Sequence, residues 1–210
     1  MARLLGSKCK LCRREGLKLF LKGARCDSPQ CAIVKRNYPP GQHGWRRGKF
    51  SDYGLRLREK QRLKRYYGVL ERQFRRYFEM ASNAKGNTGE QLLSIFERRI
   101  DNVIYRLGLA VSRSQARQII THGHISLNGR KHTSPSALVS VDDIIESGKK
   151  EKSESVARSN LELSQGRVIP AWLEFDAESL RARVAGVPGS NEIKEIVPIR
   201  EQLIVEISSR

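Results

Sequence analysis

Cys9, Cys12, Cys26 and Cys31 are the residues of this chain best suited to hold a metal. They follow the spacing C-x2-C-x13-C-x4-C, and no other cysteine occurs in the sequence. Each close pair can clamp one side of a tetrahedral ion, and the loop between the pairs brings the chain back to complete it. Four thiolates saturate zinc, so a site of this kind keeps no open position for catalysis. One zinc ion is the expectation. A cubane iron–sulfur cluster is the alternative that the same sulfur ligands allow. The surrounding segment is polar and basic, with little core to bury four unrelated cysteines. Met1 to Lys8 contains no apolar run of the length a secretory signal needs, so a reducing compartment is expected and disulfide pairing is disfavoured.

Basic residues crowd the cysteines: Lys8, Lys10, Arg13, Arg14, Lys18, Lys22 and Arg25. They offset the negative charge of a thiolate site and can also meet phosphates, which makes the segment a small RNA-facing knuckle. The excess extends over the chain, where 40 Lys and Arg face 22 Asp and Glu for a net charge of +18. Such an imbalance repels itself unless a polyanion neutralises it. Nucleic acid is the expected polyanion. No stretch approaches the ~18 apolar residues of a membrane span. The charge is also asymmetric: residues 1–80 carry 22 basic and 6 acidic residues, residues 81–210 carry 18 and 16. The first part is therefore the main electrostatic footprint.

The candidate RNA contacts follow from that footprint. In the first part they are Arg3, Lys8, Lys10, Arg13, Arg14, Lys22, Lys35, Arg36, Arg46, Arg47 and Lys49, then Arg56, Arg58, Arg62, Lys64 and Arg65. In the second they are Arg106, Ser112, Arg113, Ser114, Arg117, His122, His124, Arg130 and Lys131. Arg113 and Arg117 stand four apart, on one face of a helix, and are expected to point to solvent rather than into the core. Ser112 and Ser114 lie at that helix start, where backbone N–H groups favour phosphate.

The elements that must position these residues can be read in outline. Residues 1–50 are punctuated by Gly and Pro and read as mostly irregular. Ser51 is an N-cap for a basic helix from Asp52 to Tyr67 that Gly68 ends. A second helix is expected from Val69 to Ala81, with Leu70, Phe74, Tyr77 and Phe78 at helical spacing. Thr88 to Gln91 and Ser112 to Gln115 both fit a capping box, with Thr88 and Ser112 as caps. Ile125 and Leu127 alternate as a half-buried strand does, and Asn128-Gly129 signals a hairpin turn. Further strands are expected near Ile144 and Ile145, at Pro170 to Phe175, and at Leu203 to Ile207. Residues 147–162 read as charged and exposed. The fold class is α+β: a mostly helical first domain interrupted by a small α+β module, with an irregular zinc-knuckle N-terminus. The expected bounds are 1–50 for the knuckle and basic extension, 51–98 for the helical domain completed by 180–210, 99–160 for the module, and 161–210 for a carboxyl-terminal return segment.

Residues 99–160 resemble a small RNA-binding module shared by a ribosomal protein, a group of pseudouridine synthases and a group of tyrosyl-tRNA synthetases. The resemblance rests on Arg99 to Gly108, Ser112 to Gln118 and His122 to Arg130. The remainder is similar to the bacterial-type fourth protein of the small ribosomal subunit over essentially the full length. The matching stretches are the cysteine pattern, Tyr38 to Gly44, Tyr53 to Gln61, Pro170 to Leu173 and Gln202 to Arg210. Ser208 stands where many relatives carry tyrosine.

This resemblance implies a structural constituent of the small subunit. It would bind small-subunit (16S) ribosomal RNA directly at a junction in the 5′ domain, nucleate assembly of the body and contribute to translational accuracy. It would lie in the cytoplasm within the small subunit, beside the fifth and twelfth small-subunit proteins, with its own messenger RNA as a further partner and no membrane. Many relatives lack the cysteines, and this chain keeps all four, which implies a zinc-bearing version. An enzyme is not expected: the sequence has no Gly-rich phosphate loop and no metal-hydrolase motif. The alternative is a non-ribosomal RNA-binding protein built on the same module.

Overall fold

Ser51 caps the long basic helix as its sequence predicts: its Oγ accepts from the Gly54 N–H at 3.2 Å, and Gly68 closes the helix in the left-handed conformation. In the computed structural model, which describes residues 6–44, 51–148, 151–164, 167–189 and 199–209, this helix belongs to the first of two compact units. The first unit comprises Met1–Leu93 and Val197–Arg210, the second Ser94–Ile196.

The first unit contains α1 (Lys8–Glu15), a 3-10 turn (Gly23–Cys26), α2 (Ala32–Lys35), α3 (Asp52–Tyr67) and α4 (Glu71–Asn83). The segment expected to be irregular thus holds short helices around its cysteines. Helix α5 (Thr88–Glu97) runs across the boundary between the units. Its cap is Asn87 rather than Thr88: Asn87 Oδ1 accepts from the Gly89 N–H at 2.9 Å, which shifts the expected capping box by one residue. The buried apolar residues of this unit include Leu19, Leu63, Tyr66, Tyr67, Val69, Phe74, Tyr77, Ala81, Leu92, Leu93, Ile199 and Ile204. Tyr66 and Tyr67 meet edge to face with centroids 4.9 Å apart.

The segment Leu203 to Ile207 is not a strand. It lies within helix α9 (Glu201–Ser208), which packs along α3 with Ile204 fully buried. The physical reason is backbone accounting. The described residues of this unit contain no strand, so an extended segment there would leave its N–H and C=O groups without a ladder. A helix satisfies them internally.

The second unit packs α6 (Ile100–Arg106) and α7 (Arg113–Thr121) with a five-stranded antiparallel sheet. Its strands are β1 (Ile125–Leu127), β2 (Arg130–His132), β3 (Ile144–Ser147), β4 (Leu173–Asp176) and β5 (Arg181–Val184). The order is β2-β1-β3-β5-β4. Asn128 and Gly129 have φ of 51° and 75°, both positive as a type I′ hairpin turn requires, and β1 pairs with β2 in the register Ile125↔His132. Ile100, Val103, Ile104, Leu107, Ile120, Ile125, Val139, Ile145, Ala182 and Val184 make the centre of one continuous core.

Two expected boundaries move. Strand β5 pairs with β3 (Ile145↔Ala182) and β4 pairs with β5, so residues 173–184 complete the sheet of the module instead of returning to the first unit. Residues 151–163 form α8 (Glu151–Leu163), with Ser153, Ala157 and Asn160 buried. Asn160 is held from both sides: its Nδ2 donates to the Leu109 carbonyl at 3.0 Å, and its Oδ1 accepts from Gln115 Nε2 at 3.0 Å. The helix is exposed over most of its surface, as its charge predicts, and packs through this one row of small side chains.

Candidate nucleic-acid interface

The four cysteines converge as their spacing suggests. Cys9 and Cys12 lie on α1, Cys26 ends the 3-10 turn and Cys31 caps α2, and all four line one cavity of about 20 Å³. The Lys22 backbone N–H points at Cys26 Sγ, at 3.3 Å. Burial pushes the Cys12 and Cys26 thiols up, and the neighbouring cysteine sulfurs push them further in the same direction. A cation among them would reverse that balance. The donor set suits zinc. Among the described residues, however, no three of His, Cys, Asp or Glu stand as an already formed ligand cluster.

Around this cavity Lys10, Arg14, Lys18, Lys22, Arg25, Lys35 and Arg36 are exposed. Two arginines of α1 have structural partners as well. Arg13 Nε donates to the Tyr38 carbonyl at 3.0 Å with its guanidinium over the Tyr38 ring, and Arg14 donates to the Pro40 carbonyl at 3.0 Å. Together they hold the Tyr38-Pro39-Pro40 loop against α1. Gly44 closes it, since a Cβ there would sit 2.2 Å from the Pro39 carbonyl oxygen.

The cations of α3 are largely turned to internal work. Glu15, at the end of α1, has a fully buried side chain and accepts from Arg58 and Arg65. Burial raises its pKa, and the arginines of α3 oppose that rise. Arg62 pairs with Glu59, and Arg56 with Glu206 of α9. Lys60 and Lys64 both grip Glu71, at 2.8 and 2.7 Å. Partial burial would raise Glu71, but the hydrogen bonds from Lys60 and Lys64 outweigh it and bring its pKa down to about 2. A depressed carboxylate pKa contributes stability that is complete above the ordinary value of 4.5 and is lost as pH falls from there through about 2. Glu71→Gln should therefore flatten the acid limb of the stability profile in that window, as read from urea midpoints measured between those pH values. An unchanged acid limb would mean that the two lysines do not tie α4 to α3.

Helix α4 supplies exposed cations beyond those expected from the sequence. Phe74, Tyr77 and Ala81 face inward, which leaves Arg72, Arg75 and Arg76 exposed. The signal was present in the amphipathic spacing: apolar positions at 74, 77 and 81 assign 72 and 76 to the opposite face. Arg3, Arg46, Arg47 and Lys49 lie outside the described residues.

In the second unit, the expected arginine face is corrected. Arg113 is only 4% exposed. Its Nε donates to Asn102 Oδ1 at 2.9 Å, and its guanidinium stacks 4.3 Å from the centre of the Tyr105 ring. Arg117 is half-buried and donates to Asp101 Oδ2 at 2.7 Å, an oxygen it shares with Arg99. Arg106 is buried and forms a two-pronged pair with Glu97, at 3.0 and 2.7 Å. These three arginines assemble the module from inside. The reason is that α6 offers Asp101 and Asn102 directly beneath α7, and a buried carboxylate must be paired.

The solvent face of α7 carries Ser114, Gln118 and Thr121 instead, followed by exposed His122. Ser112 is buried and caps the helix, accepting from the Gln115 N–H at 3.3 Å; the Gln115 side chain reaches back to the Val111 N–H at 2.7 Å. His124 is half-buried, its Nδ1 2.9 Å from Ser153 Oγ. Arg130 and Lys131 are exposed on the hairpin. Lys131 lies across Gly123, where a Cβ would meet its side chain at 2.0 Å. A polar helix face beside two hairpin cations is a surface that can follow a phosphate backbone by shape, with few base contacts.

Comparison with known proteins agrees in extent with this division. The family described as ribosomal protein S4/S9 N-terminal domain matches residues 3–97, and the S4 domain matches residues 98–145. The chain is 55% identical over 210 residues to the small ribosomal subunit protein uS4 of Acetivibrio thermocellus, covering all of both chains. It is 56% identical over 211 residues to the protein of that name from Clostridioides difficile and 52% identical over 210 residues to that of Thermodesulfovibrio yellowstonii, again across the whole of each.

Proposed function

Because the chain belongs to the uS4 family of small ribosomal subunit proteins, we propose that it is a structural, RNA-binding constituent of the bacterial small ribosomal subunit. It binds the 16S ribosomal RNA in the 5′ domain, early enough to seed assembly of the body, and its position there bears on translational accuracy. It works by holding RNA in place, not by making or breaking bonds. The observation that carries this reading is the surface of the first unit, where exposed Lys10, Lys18, Lys22, Arg25, Lys35, Arg36, Arg72 and Arg76 present cations to solvent. Phosphate contacts from such residues fix register without reading sequence. The module of the second unit supplies a shape-matched surface from α7 and the β1-β2 hairpin. The fifth and twelfth small-subunit proteins are proposed as neighbours, and its own messenger RNA as a second ligand. Sedimentation of a tagged chain from growing cells tests the assignment. Nearly all of it should travel with small subunits. A chain that stays in the light fractions would be the non-ribosomal RNA-binding protein that the same module could also build.

Zinc at Cys9, Cys12, Cys26 and Cys31 is part of the proposal. A four-thiolate ion would act only as a cross-link, joining α1, the 3-10 turn and α2 in a segment that buries little apolar surface. The side chains around the cavity favour it, since Lys8, Lys22 and Arg25 line its wall and offset the thiolate charge. Elemental analysis of the purified chain should find one zinc per molecule. Iron with labile sulfide, or no metal at all, would contradict the assignment.

A further inference from the structure

The chain contains a single Asn-Gly pair, and it forms the tip of the β1-β2 hairpin. Asn128 and Gly129 are both exposed. Apart from its chain neighbours, no heavy atom lies within 4 Å of where a Gly129 Cβ would stand, so the space beside Gly129 is open. The Asn128 carboxamide is nevertheless held. Its Nδ2 donates to Asp143 Oδ1 at 2.8 Å, and its Oδ1 accepts from the Ile144 N–H at 2.8 Å. The Asn128 backbone N–H adds a third tie, to the Ile144 carbonyl at 2.8 Å. Residues 15 and 16 positions further along the chain thus buckle the hairpin tip to the start of β3.

We infer that Asn128 is a deamidation site whose rate is set by this buckle. The reaction needs only water. The Gly129 backbone nitrogen loses its proton and attacks Asn128 Cγ. The bond from Cγ to Nδ2 breaks, and the side-chain nitrogen leaves as ammonia with the proton it gains. The resulting five-membered succinimide then takes up water at either carbonyl and opens to aspartate or to isoaspartate. To bring Cγ onto the Gly129 nitrogen, the carboxamide must release both Asp143 and the Ile144 N–H. The folded hairpin therefore reacts from a minor, unbuckled population.

The products cannot re-form the tie to Asp143. An aspartate at 128 sets one carboxylate against that of Asp143, with no Nδ2–H left to donate. An isoaspartate adds a backbone atom to a two-residue turn that closes Leu127 onto Arg130. Either product loosens the hairpin that displays Arg130 and Lys131.

The test is timed incubation of the full-length folded chain at pH 8, beside the same chain unfolded in urea, followed by trypsin digestion. Asn128 is the only asparagine in the peptide 118–130. That peptide should gain about one dalton, and isoaspartyl methyltransferase should label it. Conversion should be at least about tenfold slower in the folded chain, since two hydrogen bonds must open first. Asp143→Ala should accelerate the folded chain about fivefold, the effect of losing one such bond. Asp143→Asn, which keeps an acceptor at that position, should stay near the parental rate. Circular dichroism of both variants establishes that they remain folded. Equal rates in the folded and unfolded chain would overturn the inference. So would an Asp143→Ala variant that is folded and no faster, or a peptide that gains no mass.

Discussion

Glu97→Ala should cost the second unit about 3–5 kcal/mol, the usual penalty for stranding one member of a buried ion pair. Glu97 is 1% exposed. Its Oε1 and Oε2 accept from Arg106 at 2.7 and 3.0 Å, and Oε2 also accepts from Asn102 Nδ2 at 2.7 Å. Asn102 in turn orients Arg113, so the carboxylate sits at the head of a chain of polar groups with no access to water. Removing it leaves the buried Arg106 guanidinium without its counter-charge. Against the ~5–15 kcal/mol that a domain commonly has, this is about a fifth of its stability or more. Replacing Glu97 and Arg106 together by apolar residues should cost much less than either single change, because no unpaired charge remains. Urea unfolding monitored through buried Trp172, with Trp45 replaced by phenylalanine, reads out this unit. A Glu97→Ala loss below ~1 kcal/mol would show that the network is not what holds α6 to its surroundings.

The second large effect is on RNA affinity. A protein that neutralises about 6–10 phosphates loses some three to five decades of affinity between 50 and 200 mM salt, as condensed cations are released. The exposed cations of the first unit place this chain in that range. Neutralising Arg72 and Arg76, together with Lys35 and Arg36, should therefore shallow the slope of log affinity against log salt by about 3. Neutralising Arg130 and Lys131 should shallow it by about 1–2. Filter binding to small-subunit RNA across a salt series measures both. A slope that the first set of changes leaves intact would move the phosphate contacts elsewhere.

Much of the fold could be read from periodicity and punctuation. Ser51 and Gly68 bracket α3 to the residue, and Asn128-Gly129 turns the hairpin as its residue types demand. Where the structure departs from those expectations, partners distant in sequence decide the outcome. Arginine is assigned to solvent by default, yet Arg113 and Arg117 find Asn102 and Asp101 on the preceding helix and turn inward. Their loss should loosen the module instead of sparing it. Leu203 to Ile207 carries a strand-like composition, but α3 offers it a groove and no ladder. Residues 173–184 join the sheet through β5, and nothing local in their sequence announces that β3 has a free edge. In the interface the cysteine spacing and the charge asymmetry were legible. The distribution of that charge was not: Glu15, Glu59, Glu71 and Glu206 occupy most of the α3 cations, while Arg72 and Arg76 of α4 remain on the surface.

Direct recognition of small-subunit ribosomal RNA by this chain alone is the proposed basis of its function. Purified protein mixed with deproteinised 16S RNA, challenged with a mass excess of transfer RNA at physiological salt, tests that most plainly. The prediction is a one-to-one complex that survives the competitor and shields a confined region of the 5′ domain from hydroxyl radicals. Displacement by transfer RNA, with no protected region, would contradict it.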